Sequence, residues 1–347
     1  MNKTQRQFVS IVSKYFVGLL KRNGVFVRNL RMVDSSHVNY VFTCSFNGRE
    51  AILKAGLFGR SMLFAYEKFL AAGPSVFSKT LDGGNMPCSN DIVIEVRSLR
   101  FLWDRAFRVP RILEFVGPNV VILEKIPGKC IDPGAFDKSF AEGLAKCIAR
   151  LHQTEAPDNL KPRQISATSD SLIIEDLNFQ QPMIARGLHS NIVELVSAHL
   201  TMRNLLHGDC KDGNIIRDGQ SVCLLDPKLC VGIPHVDLGK FMLRLLLSAN
   251  RNGLQKLTEG LVAFAEQYSQ IVGLRSVELQ KTSVALGLIE LEHLLSGPPR
   301  ANIEILGPEM PMLYRQKNII QQISHRILRE GRALTVSQLA SSLANRF

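Results

Sequence analysis

Apolar residues recur at helical spacing near the start of the chain, at Phe8, Val12, Tyr15, Phe16 and Leu19, and predict an amphipathic helix within residues 1–24. After Gly24 the period becomes that of strands. Val25–Val27 and Leu30–Val33 read as short strands, and Val38–Phe46 and Glu50–Lys54 as a hairpin. Its turn is Asn47-Gly48, a dipeptide whose two residues both reach positive φ. Residues 57–90 hold a short helical pattern (Leu63, Tyr66, Phe69, Leu70) that runs into Gly73-Pro74, Asp82-Gly83-Gly84 and Pro87. Ile92–Trp103 predicts a helix with Ile92, Val96, Leu99 and Trp103 on one face. Val109-Pro110 opens an extended segment, and Val120–Ile126 is an apolar strand ending at Pro127-Gly128. From about residue 136 the pattern is helical almost to the end, with strand-like pieces at Asn204–Leu206 and Val222–Leu225. Residues 236–247 are apolar nearly all round, as in a helix buried inside a large domain. The later helices are bounded by Gly253, Gly273, Gly297-Pro298-Pro299 and Gly307-Pro308, and Thr335-x-x-Gln338 reads as a capping box. The pattern predicts a small strand-rich unit followed by a larger helical one, joined near Pro127-Gly128.

Composition agrees with a packed globular protein: 46% of the 347 residues are hydrophobic and 21% charged, with no repeat or biased tract. No apolar run approaches the length of a spanning helix. The 42 Lys+Arg against 31 Asp+Glu leave a net charge of +11. The densest basic stretch, Arg97, Arg100, Arg105, Arg108 and Arg111, could contact nucleic-acid phosphates. With one Trp and five Tyr in the chain and no aromatic stacking platform, a solvated face is the better reading, and no nucleic-acid partner is expected. The seven cysteines, at 44, 88, 130, 147, 210, 223 and 230, include no C-x-x-C pair, which points to reduced thiols and a cytoplasmic protein. Lys14 interrupts the first apolar stretch and no small-residue cleavage site follows, so a secretory signal is not expected. The preferred reading of that helix is packing on the body of the protein; the alternative is a basic helix on an anionic membrane.

The chemistry lies in Leu206-His207-Gly208-Asp209-Cys210-Lys211-Asp212-Gly213-Asn214-Ile215, followed by Leu224-Leu225-Asp226-Pro227. The spacing is H-x-D-x-x-x-x-N, with a strand-borne Asp twelve residues past the Asn. Phosphoryl transfer needs such a set: one carboxylate to take the acceptor's proton, and a carboxamide and a second carboxylate for Mg²⁺. A loop in which Asp209 and Asn214 only satisfy turn backbone groups is the competing reading. Three positions in order, with Asp226 behind them as a fourth, argue against it. No G-x-x-x-x-G-K-S/T, G-x-G-x-x-G or H-E-x-x-H motif competes.

This segment resembles the catalytic loop of the aminoglycoside phosphotransferase and choline kinase superfamily, which has a protein-kinase-like fold. Asp226-Pro227 through Asp237-Leu238-Gly239 is similar to its metal-binding segment, and Ala149-Arg150-Leu151-His152 to the helix ending in Leu-His. Val109-Pro110-Arg111-Ile112-Leu113 and Ile122-Leu123-Glu124-Lys125-Ile126-Pro127-Gly128 resemble its Val-Pro strand and hinge. The resemblance spans about residues 25–245. It implies a bilobal α+β fold: residues 1–24 a leading helix, 25–126 an antiparallel-sheet N-lobe with an insertion at about 57–90, and 127–347 a helical C-lobe. It implies an ATP-dependent, Mg²⁺-assisted phosphotransferase acting on a small-molecule hydroxyl. Asp209 would be the base, Asn214 and Asp226 the metal ligands, and Lys54 the holder of the α- and β-phosphates. The backbone of Glu124 and Ile126 would meet the adenine edge, and Ser35 or Ser36, in the turn Ser35-Ser36-His37, would touch phosphate. Two glutamates compete for Lys54, Glu67 at 13 positions on and Glu95 at 41; the place of Glu95 relative to Pro110 favours it. His207 is expected to orient the loop and Asp237 to tie it down, while no chemical role is assigned to His152.

Two features depart from the family pattern. Lys228 stands where relatives commonly carry an acidic residue, and Lys211 adds a second positive charge beside Asp209. A polycationic aminoglycoside needs an acidic pocket, so these lysines predict a neutral or anionic acceptor. The alternatives are a nucleotide-binding pseudokinase that regulates a partner, against which the complete set of four residues argues, and a kinase acting on protein. For the latter no Asp-Phe-Gly or Ala-Pro-Glu frames an activation segment.

Overall fold

The structure, a computed structural model, describes residues 3–35, 40–56, 62–82, 90–175, 182–219, 221–250, 253–296 and 316–344. They divide into two compact units that part between Ile126 and Pro127. No helix among the described residues is long and apolar enough to cross a membrane.

The first unit opens with α1 (Lys3–Arg22), followed by β1 (Val27–Ser35), β2 (Tyr40–Phe46) and β3 (Arg49–Ala55). The two short strands expected over residues 25–33 are a single strand, carried across a register shift between Arg28 and Arg31 in which Asn29 takes a positive φ of 53°. The β2–β3 turn is the expected one, with Asn47 and Gly48 at φ 49° and 76°. The segment read as an insertion contributes α2 (Met62–Ala72) and α3 (Pro74–Asp82); Gly83, Gly84, Pro87 and Cys88 lie outside the described residues. After α4 (Asn90–Asp104) come β4 (Ile112–Phe115) and β5 (Val120–Glu124), giving an antiparallel sheet of order β1-β2-β3-β5-β4.

One face of this sheet is the core. Phe8, Val12, Phe16 and Leu20, four residues apart, form the buried stripe of α1 and meet Tyr40, Phe42, Leu53, Tyr66, Phe69 and Phe77. The stripe is set by i, i+4 spacing, which leaves Tyr15 and Leu19 at its flank. Each such side chain taken from water contributes about 1.5–3 kcal/mol, so the apolar face of α1 is spent on packing. The face of α4 is corrected in one place: Leu102 is buried with Ile92, Val96 and Leu99, whereas Trp103 is 49% exposed. At 100° per residue Trp103 lies within about 20° of Ile92 and Leu102 about 80° away, but α4 also buries Glu95 and Ser98 on the Leu102 side, so the inward arc is turned towards Leu102. Arg97, Arg100, Arg105, Arg108 and Arg111 are all exposed, as a solvated face requires.

The second unit holds more sheet than its helical pattern shows. It contains β6 (Lys129–Cys130), α5 (Lys138–Gln153), β7 (Ile165–Ala167), β8 (Leu172–Ile174), β9 (Met183–Ala185) and α6 (Ser190–Ser197). Next come β10 (Asn204–Leu206), β11 (Ile215–Asp218), β12 (Ser221–Leu224) and β13 (Cys230–Gly232). Strands of two to four residues carry no readable alternation, and β6–β9, β11 and β13 escape the sequence pattern for that reason. Then follow α7 (His235–Ser248), α8 (Leu254–Val272), α9 (Ser276–Ser296), α10 (Lys317–Ser324) and α11 (Val336–Ala344). Gly297-Pro298-Pro299 and Gly307-Pro308 lie outside the described residues. The capping box forms at α11: Thr335 N donates to Gln338 Oε1 (2.9 Å), and Gln338 N to Thr335 Oγ1 (3.4 Å).

Candidate active site

The loop between β10 and β11 places Asp209 and Asn214. β10 pairs with β13 and β11 with β12, so both ends of the loop are pinned by antiparallel ladders. Gly208 has a φ of 79°, and a Cβ there would stand 2.0 Å from the Lys228 carbonyl oxygen, so only glycine fits. Asp237, in the first turn of α7, accepts from the backbone N–H groups of His207 (2.6 Å) and Gly208 (3.1 Å). Its own orientation comes from His152, whose Nε2 lies 3.3 Å away and whose Nδ1 meets the Tyr268 hydroxyl at 2.7 Å. His152, a landmark without a role in the sequence, is thus a buried buttress. Burial pushes the Asp237 carboxyl up, but hydrogen bonding and charge from His152 and His207 outweigh it and hold it below the usual range. His207 Nδ1 accepts from Asp209 N at 3.3 Å, so His207 shapes the turn.

Asp209 is buried and held on both oxygens. Asn214 Nδ2 donates to Asp209 Oδ2 (3.0 Å) and to its backbone carbonyl (2.9 Å), which leaves the Asn214 side-chain oxygen for another partner. Leu225 N donates to Asn214 O at 2.8 Å and brings Asp226 alongside. Asp226 sits at φ 51°, a left-handed conformation that costs a non-glycine residue energy and is concentrated at functional sites. Asn214 and Asp226 present side-chain oxygens, the donor type that would suit Mg²⁺.

Three ammonium groups act on Asp209. Lys240 Nζ lies 2.6 Å from Oδ1 and Lys211 Nζ 3.9 Å from Oδ2, while Lys228 acts from the segment after Asp226. Burial would raise the Asp209 carboxyl, but these charges, Lys240 foremost, hold it well below the ordinary carboxylate range. Lys240 is shared with Glu290 on α9 (2.9 Å), which Arg163 approaches at 3.7 Å. Sequence reasoning missed Lys240, Glu290 and Arg163. A signal existed for the first: Lys240 and Arg244 are the cations of a largely apolar helix, and a charge there needs a partner.

In the first unit, Lys54 Nζ forms an ion pair with Glu95 Oε1 at 2.7 Å, with Glu95 1% exposed. Glu67 is exposed on α2. Glu124 closes β5, and its backbone N–H is taken by the Arg111 carbonyl (2.9 Å). Ile126 is buried at the end of this unit. Ser35 ends β1, and Ser36 and His37 lie outside the described residues.

The sequence model of the phosphotransferase enzyme family (APH) matches residues 89–276, more than half of the chain. The chain belongs to this family. No curated protein matches it by sequence. Among solved structures, this phosphotransferase is similar to choline kinase from Cryptosporidium parvum Iowa II, at 11% identity and a TM-score of 0.52, covering 95% of this chain and 99% of that one. It is similar also to Plasmodium vivax ethanolamine kinase, at 14% identity and a TM-score of 0.52, covering 89% of this chain and 88% of that one. At these identities the likeness is one of fold: an α+β, protein-kinase-like architecture with a small antiparallel sheet and a larger helical part. The phosphotransferase resembles these kinases in fold over about nine-tenths of its length, more than the family match covers.

Proposed function

We propose that this phosphotransferase transfers the γ-phosphoryl group of ATP to a hydroxyl of a small-molecule acceptor, with Asp209 as base. The hydroxyl gives its proton to the Asp209 carboxylate as its oxygen bonds to the γ-phosphorus and ADP departs. The observation that carries the reading is the built environment of Asp209: ionised, fixed by Asn214, and set on a loop tied at both ends. Asn214 and Asp226 would hold Mg²⁺, which neutralises phosphate charge when bound. Lys54, oriented by Glu95, would hold the α- and β-phosphates, the Glu124 carbonyl and Ile126 backbone the adenine edge, and Ser35 or Ser36 a phosphate. The ammonium groups around Asp209 support a neutral or anionic acceptor over a polycation. The solved neighbours named as choline and ethanolamine kinases support a small acceptor alcohol without identifying it. No disulfide joins the described cysteines, in keeping with a cytoplasmic enzyme. Acceptor-dependent ADP release across sugars, hydroxy acids, amino alcohols and aminoglycosides tests the activity. Asp209→Ala is expected to abolish it while ATP still binds; normal turnover by that variant would overturn Asp209 as the base, and ATP binding by the wild type without transfer to any acceptor would count for the pseudokinase alternative.

A further inference from the structure

Lys240 owes its place to a close helix crossing. α7 and α9 approach at Gly239 and Gly287: a Cβ on Gly239 would stand 2.1 Å from the Ser283 carbonyl oxygen, and one on Gly287 2.7 Å from Gly239. Only glycine on both helices permits that contact. The next residue on α7 is Lys240, and Glu290 lies one turn beyond Gly287 on α9, so the crossing delivers an ammonium and a carboxylate to one point. Arg244, one turn along α7, lines the same hollow as Lys240, Gly287 and Glu290. The Lys240 side chain keeps 12% of its surface exposed, as does Asp209, whereas Glu290 behind it keeps 5%. The ammonium is therefore anchored by Glu290, the deeper of its two partners, in a contact whose Lys240 and Asp209 side chains both keep some exposure.

A purely structural role accounts poorly for this arrangement. Buried ion pairs contribute little net stability, since desolvation offsets most of the attraction, and an apolar pair of similar volume serves as well. From Phe241 to Leu247 α7 is apolar except at Arg244, yet just before this run it carries a lysine at the point that touches the base. Burial alone would discharge that lysine; Asp209 and Glu290 together keep it charged. A hydroxyl that reaches Asp209 therefore lies next to a fixed positive charge.

We propose that Lys240, held by Glu290, is the specificity-determining residue of the acceptor site, and that it reads a carboxylate or phosphate carried beside the hydroxyl to be phosphorylated. The inference rests on Asp209 being the base. Lys211 and Lys228 add to the same field, and a cationic substituent in that position is repelled.

The test uses matched acceptors in two series: glycerol, glycerate and 3-amino-1,2-propanediol; and glucose, glucuronate and glucosamine. With the full chain, kcat/KM for the acid is expected to exceed that for the neutral alcohol at least tenfold in one series, with the amine lowest. In Lys240→Gln/Glu290→Gln, which removes both charges so that neither is left alone, the acid-to-neutral ratio is expected to fall at least tenfold. A merely structural role would lower both acceptors in proportion and leave the ratio unchanged, which would overturn the inference, as would no preference for the acid in the wild type. Should the double variant fail to fold, Glu290→Gln alone and competition by inorganic phosphate decide. Phosphate is expected to compete with the neutral acceptor at saturating ATP, and less well in Glu290→Gln; absence of competition refutes the role of Lys240. Calorimetric binding of the acid over the neutral alcohol, without transfer to either, would support the anion site while removing the phosphotransfer reading.

Discussion

Asp209 shows how much one residue's behaviour depends on its neighbours. A carboxylate buried alone would hold its proton and could not act as a base; here the surrounding ammonium groups keep it ionised. Asn214 sets its rotamer, and Asp237, oriented by His152, sets the backbone that carries it. Lys54 occupies a comparable position in the first unit, where its pairing with Glu95 removes most of its freedom. Lys54→Met is expected to lower kcat/KM for ATP about 10- to 200-fold, the worth of one hydrogen bond to a charged group. Glu67→Gln, on an exposed face, should leave it unchanged. Steady-state kinetics on both variants check the assignment, and equal losses would count against it.

Among the elements, the crossing of α7 and α9 matters most to the site. Backbone contact at Gly239 and Gly287 aligns the helix carrying Asp237 and Lys240 with the one carrying Glu290. Gly239→Ala must push the Ser283 carbonyl away, and overpacking of this kind costs about 1–3 kcal/mol. Thermal melting should show a lower Tm, and transfer to the acceptor should fall more than ATP binding does, because the shift separates Lys240 from Glu290. An unchanged Tm would mean that the helices slide apart at no cost.

For the molecule as a whole, acid is expected to be destabilising in part through one buried imidazole. His235, the first residue of α7, is fully buried with its ring 4.3 Å from that of His199. Burial, with charge from His199 and His152, pushes its pKa from 6.5 down to about 3. Its folded pKa lies below its unfolded one, so below pH 6.5 the unfolded chain takes up a proton that the folded chain refuses. Stability from this site is complete above that pH and falls by about 1.4 kcal/mol per pH unit towards pH 3. Urea unfolding across this range should give a shallower slope for His235→Leu than for the wild type. Parallel slopes would place the acid sensitivity elsewhere.

The sequence by itself determined the local elements and the ordered signature. Asn47-Gly48 dictates its hairpin because few other pairs tolerate two positive φ values, and the stripe through Phe8, Val12, Phe16 and Leu20 dictates a helix with one face to bury. The spacing from His207 to Asn214 was readable because the loop is a single local segment whose chemistry is contained in it. Tertiary structure alone decided the partners. Lys54 chose between two glutamates by which helix face met the sheet, and Leu102 is buried in place of Trp103 because α4 turns the side holding Glu95 and Ser98 inward. Asp209 acquired Lys240, 31 residues on, and Lys240 acquired Glu290, a further 50 on. Charges so far apart in the chain meet only when helices cross, and a crossing follows from packing around two glycines, which local pattern does not record.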